Sequence, residues 1–232
     1  MFGFSADEWT AIFLSLRVAT VATLCAVPFA IFAAYVLARW RFPGKSILDG
    51  VLHLPLVLPP VVTGYLLLLT FGKKGAVGEA LYNTFGITFA FRWTGAALAC
   101  GIMGFPLMLR AIRLSFEAID RRLETAAGTL GANRAWTFAL VTLPLALPGV
   151  LVGAILCFAK ALGEFGATIT FVSNIPGETQ TIPSAIYTYT QVPGGDEQAM
   201  RLTLVSIVIA MLALIASEVL NRRIQKRIAV FE

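Results

Sequence analysis

Few residues in this 232-residue sequence are able to do chemistry, and their spacing narrows the choices. His53 is the sole histidine, which excludes any metal site built from several imidazoles. Cys25, Cys100 and Cys157 lie far apart inside apolar runs, with no Cys-x-x-Cys spacing, so they are expected as small buried apolar side chains. Gly44-Lys45-Ser46 looks like the end of a phosphate-binding loop. That loop needs a glycine where Arg39 stands, and a strand before it, so nucleotide binding by this segment is excluded. Lys160 and Glu164 are spaced one helical turn apart at the end of an apolar run. Such a pair either neutralises itself as a salt bridge or offers a cation to an anion passing by.

The elements that must position these residues are membrane spans. The chain is 58% hydrophobic and 13% charged, with mean hydropathy +0.81, far from the roughly 45–50% apolar and 25% charged of soluble domains. An all-α polytopic membrane protein follows, read as one transmembrane domain over 1–232. Five apolar stretches, 14–38, 48–72, 94–114, 139–163 and 202–221, are each long enough to cross about 30 Å of hydrocarbon. The first is too long for a cleaved signal. Residues 6–13, with Trp9, Ile12 and Phe13, are expected to form a separate short interfacial helix.

The net charge of +5 would raise nucleic-acid binding in a soluble chain. Here the basic residues are loop charges that set orientation, and no nucleic-acid partner is expected. The loop after the first span, the segment 110–138 and the C-terminal end hold twelve lysines and arginines, and the opposite side holds four (Lys73, Lys74, Arg92 and Arg201). The positive-inside rule then places the N-terminus outside and the C-terminus in the cytoplasm. Segment 164–201 is accordingly expected as an external loop, with a short helix near 181–189.

The cytoplasmic segment 120–138 is unusually structured for a connection between spans. Asp120 can cap a helix, and Leu123, Ala126, Ala127 and Leu130 then fall on one apolar face that the alanines keep flat. Gly131 suits a left-handed helix end, and Asn133 can cap the next helix, which leads through Trp136 and Phe138 into the fourth span. By pattern alone this is either an interfacial elbow or a surface on which another protein docks.

The spacing Ala126-Ala127, three residues, Gly131, nine residues, Val141-x-Leu143-Pro144 resembles the EAA signature of ABC importer permeases. One departure is visible: Thr125 stands where the signature has its glutamate, with Glu124 just before it. The stretches Val51–Tyr65, Phe85–Phe91 and Leu162–Glu178 look like the molybdate transporter permease family, with sulfate permeases as the neighbouring alternative. The resemblance implies a type I ABC importer permease fold in the bacterial inner membrane. It also implies a permease homodimer, two ABC ATPase subunits and an external oxyanion-binding protein. ATP and Mg would belong to the partner ATPase, leaving this chain non-catalytic and without a cofactor. Glu124, Ala126, Ala127, Leu130 and Gly131 would couple to that ATPase. Molybdate or tungstate would then move by alternating access.

For the pathway, proline removes an amide donor and bends a helix, and bare backbone at membrane depth survives where it is buried or lines a cavity. Pro59, Pro60 and Thr63 are therefore candidates for a channel wall, or else an ordinary packing kink. Lys160, beside Glu164, is the candidate cation for an oxyanion, with Thr168 and Thr170 as hydroxyl donors. An ATP-independent secondary transporter is the rival class. It would need coupling carboxylates at mid-membrane or inverted repeats, and the sequence displays neither.

Overall fold

The computed structural model describes residues 3–228, all of whose regular elements are helical. The first helix, α1, runs unbroken from Ala6 to Arg39. Ser5 and Glu8 form a reciprocal capping box at its start, and the helix continues through Pro28 until Trp40 turns extended. The separate interfacial helix expected at 6–13 is thus the first turns of the span itself. At about 1.5 Å per residue, these 34 residues outreach the hydrocarbon layer, and the Trp9 and Phe13 rings stack at 5.6 Å in the first turns of α1.

The expected second span is two helices, α2 (Lys45–Val57) and α3 (Pro60–Phe71), bent by 113°. The cause is local. A residue before proline is driven out of the α region, and Leu58 and Pro59 both adopt extended ψ angles of 144° and 134°. Pro60 then opens α3 at a position where its missing N–H costs nothing. A short helix α4 (Ala76–Phe85) follows.

The third span, α5 (Trp93–Ala118), carries the densest core. The segment after it is described with the site below: α6 (Arg121–Thr129), α7 (Arg134–Thr137), and a π-helical turn, Phe138–Thr142, that runs into α8 (Leu143–Leu162). In that turn the Leu143 amide reaches back to the Phe138 carbonyl, just before Pro144, which has no amide to give. α1, α5 and α8 pack on a floor of small residues: Ala19, Ala22, Ala30, Ala34, Ala96, Ala99 and Ala146 are buried. A side chain at Gly153 would run into Met108, and one at Gly149 into Ser115. These small-residue contacts let the α5 and α8 backbones approach, which is how helices associate in lipid.

The stretch expected as an external loop over 164–201 is largely helical. It contains α9 (Gly166–Val172), α10 (Ile182–Thr190) and the first turn of α11 (Asp196–Ile228). The α10 expectation near 181–189 holds. The missed helix, α9, is short and apolar, with Ala167, Thr168, Phe171 and Val172 buried, and it packs on α3 and α5. Among the described residues, four helices are long and apolar enough to cross a membrane, and the bent α2–α3 pair makes a fifth.

Candidate functional site

The helix α6 begins where Asp120 accepts a hydrogen bond from the Arg122 amide at 2.9 Å. None of its residues is buried. Leu123 and Ala126 are exposed, Ala127 is half-buried, and Leu130 is 88% exposed. Gly131 turns the chain at φ +90°, where a side chain would be strained. The Ala132 amide bonds the Ala127 carbonyl at 3.1 Å, closing the helix end. Asn133 then accepts from the Trp136 amide at 2.9 Å and starts α7. The helix–turn–helix expected from the caps is present, with its small-residue face bare.

Glu124 behaves differently from the rest of this set. Its side chain turns inward: Oε1 pairs with Arg39 Nη2 at 3.0 Å and accepts from Thr142 Oγ1 at 2.8 Å. Arg39 also donates to the Ile119 carbonyl at 3.3 Å. One carboxylate therefore ties α6 to the end of α1 and to the π-helical turn. Nothing in a single sequence pairs Arg39 with Glu124; the signal available was only that two opposite charges sit at span ends. Thr125, at the signature position, is exposed and donates to the Arg121 carbonyl. Beneath α6 lies an open cavity of about 950 Å³ whose wall includes Phe32, Arg39, Trp40, Arg121, Glu124 and Arg134.

A second polar network lies between α2 and α5, on the side of the molecule where α5 ends. Arg113 donates to Asp49 at 2.9 Å and to Glu117 at 2.8 Å, and His53 Nδ1 meets the Asp49 carbonyl at 2.8 Å. These bonds hold the first half of the broken span against α5.

The candidate pathway residues, quoted from distant segments, are brought together where α3 crosses α9. A side chain on Gly64 would lie 2.5 Å from the Ala167 carbonyl oxygen, and one on Gly166 would lie 2.7 Å from Pro60 Cβ. Thr63 is buried in this crossing region of α3, and its Oγ1 has no partner among the described residues. Glu164 is 2% exposed. It pairs with Lys160 Nζ at 2.6 Å and accepts from the Ala167 amide at 3.0 Å, so it also caps α9. Lys160 is therefore neutralised by Glu164. The Thr168 hydroxyl donates to Phe165 and that of Thr170 to Gly166, both to carbonyls at 2.9 Å. In this structure both hydroxyl protons are given to backbone carbonyls. Pro59 is exposed at the bend.

One further charged contact had no counterpart in the sequence reading. Glu8 is fully buried and receives two bonds from Arg201 of α11, at 2.9 and 3.2 Å. Together with the Ile182 amide donating to Ser15 at 2.7 Å, it fastens α1 to α10 and α11.

Comparison with known proteins adds the following. Residues 26–230 match the model of the family described as "Binding-protein-dependent transport system inner membrane component". The chain is 60% identical over 220 residues to the molybdenum transport system permease protein ModB of Escherichia coli, covering 95% of this chain and 96% of that protein. It is 56% identical over 221 residues to ModB of Haemophilus influenzae, covering 95% and 96%. The fold resembles a chain in the crystal structure of a bacterial ABC transporter involved in import of the polysaccharide alginate. There the TM-score is 0.74 at 18% identity, with 95% of this chain and 80% of that chain covered.

Proposed function

The chain belongs to the family of binding-protein-dependent transport system inner membrane components, and from that premise we propose that it is the permease subunit of an ATP-driven molybdate importer. The observation that carries the ATP-driven part is α6, a capped helix with no buried residue, carrying Leu123, Ala126 and Leu130 bare. A contiguous exposed apolar face marks a surface on which a partner protein docks. A separate ATPase is that partner, and ATP and Mg belong to it; this chain supplies the pathway and hydrolyses nothing.

Two copies of the chain form the pathway, with Gly131 and the alanine pair of each seated on an ATPase dimer. An external binding protein delivers the oxyanion. The ATPase shifts the permease between inward- and outward-facing states only through contacts that differ between them. The clamp at Glu124 makes α6 move with α1 and α8 as one body. The Pro60–Gly64 and Gly166–Thr168 crossing is the element of the pathway wall that such a motion would shift. Recognition of molybdate or tungstate over sulfate rests mainly on the binding protein, because a channel must hold its ion weakly enough to release it.

The test is uptake into vesicles holding this chain, its ATPase and its binding protein. Molybdate uptake that needs ATP and is competed by tungstate, and not by sulfate, supports the proposal. Competition by sulfate at equal concentration would make the assembled importer, through its binding protein, a sulfate-type system. Uptake by the chain alone under an ion gradient would replace the proposal with a secondary transporter.

A further inference from the structure

The cavity beneath α6 has a chemistry that ATPase docking leaves unused. One side is apolar, built by Pro28, Ile31, Phe32 and Tyr35 of α1 with Phe138 of the π-helical turn. Its other side is basic. Arg121 and Arg134 line it with no acidic partner among the described residues. Glu124, the one carboxylate on its wall, is already matched by Arg39. Arg39 has a side chain only 8% exposed, and its Nε has no hydrogen-bond partner among the described residues. A buried donor is costly to leave unsatisfied, and here the cavity wall carries donor capacity that the protein itself does not use.

The placement is equally specific. Trp40, at the end of α1, and Trp136, on α7, are both more than half exposed. Tryptophan concentrates at the depth of lipid headgroups. Phe32 is 68% exposed two turns earlier on α1, on the hydrocarbon side of Trp40. An apolar track that opens under a pair of unpaired arginines at headgroup depth fits a molecule with a phosphate above and acyl chains below. Basic pockets between spans on the cytoplasmic face bind such headgroups.

We infer that this cavity holds an anionic phospholipid, its phosphate between Arg121 and Arg134 and its chains along Phe32 and Phe138. The lipid would then sit against α1, α6 and the π-helical turn, the same three elements that Glu124 joins.

The test uses the full chain in bilayer discs of phosphatidylcholine, with W9F and W93F leaving Trp40 and Trp136 as reporters. A small fraction of phosphatidylglycerol or phosphatidylcholine brominated on its acyl chains is added, and quenching is compared. Each arginine near the surface favours an anionic lipid by roughly fivefold, so a preference of roughly 25-fold is expected from two. R121Q/R134Q removes it, whereas R122Q, on α6 but off the cavity wall, keeps it. In the unsubstituted pair, raising salt erodes the preference, which reports the same electrostatics should the double variant misfold. Equal quenching by both brominated lipids overturns the inference, as does a preference unchanged by R121Q/R134Q. Loss of quenching on adding inorganic phosphate would reassign the site to a free phosphate and overturn the lipid.

Discussion

At the scale of single residues, Glu124 and Thr125 exchange the roles that their positions in the motif suggest. Thr125 stands at the signature position and is exposed, while Glu124 is a half-buried clamp holding Arg39 and Thr142. Removing one partner of a buried pair leaves the other charge uncompensated, at about 3 kcal/mol. Glu124→Ala should therefore lower the thermal unfolding midpoint of the purified chain clearly, with Glu124→Asp between it and the parent. Thr125→Glu should stay within about 0.5 kcal/mol of the parent, as exposed substitutions do. An equal loss for both would sink the clamp. Gly131 is a separate matter. At φ +90° a β-branched side chain is strained by about 1–2 kcal/mol, with open space around it. Gly131→Val should then distort the turn without a packing clash. The chain should stay folded yet lose co-purification of the ATPase, while Gly131→Asn retains it. The caps at Asp120 and Asn133 and the Gly131 turn were legible because each acts within three or four residues of sequence. The Arg39–Glu124 pair was not, because its partners are brought together only by packing of α1 against the rest.

At the scale of elements, what the sequence concealed were the consequences of breaks. The Pro59–Pro60 pair was visible as a bend, but the 113° angle depends on where α3 finds its neighbour. That neighbour is α9, hidden in a stretch that polar and glycine residues made look like loop. Seven residues are too few for a span and too few to show periodicity, so only the Glu164 cap and the fit against Gly64 define the helix. The fit is also testable. A methyl at Gly64 would lie 2.5 Å from a backbone oxygen, and a backbone cannot swing aside as a long side chain does. Gly64→Ala should cost about 1–3 kcal/mol by overpacking, whereas Gly50→Ala, in open space on α2, should cost nothing measurable. Thermal unfolding of the two variants in detergent makes the comparison. If Gly64→Ala is as stable as Gly50→Ala, α3 and α9 do not cross in contact.

At the scale of the whole molecule, hydropathy and charge carried most of the argument because the bilayer imposes length and polarity on every span at once. The five apolar runs reappear as four long helices and one broken pair, and the differences lie in breaks and ends. Orientation rests on charge alone: twelve basic residues on one side against four on the other. It also governs everything proposed for α6, since an ATPase reaches it only from the cytoplasm. Two exposed positions that the charge count puts on opposite faces decide the matter: Leu130, 88% exposed beside the Gly131 turn, and Lys74, in the turn between α3 and α4. Of the cysteines, Cys100 and Cys157 are buried and Cys25 is exposed, so Cys25→Ser gives a quiet background. On it, a membrane-impermeant maleimide applied to right-side-out vesicles should label Lys74→Cys at once. Leu130→Cys should label only after permeabilisation, and inverted vesicles should reverse the pattern. Labelling of Leu130→Cys from the outer face would put α6 beyond reach of any ATPase. The coupling role would then fall, even with every hydrogen bond of the site unchanged.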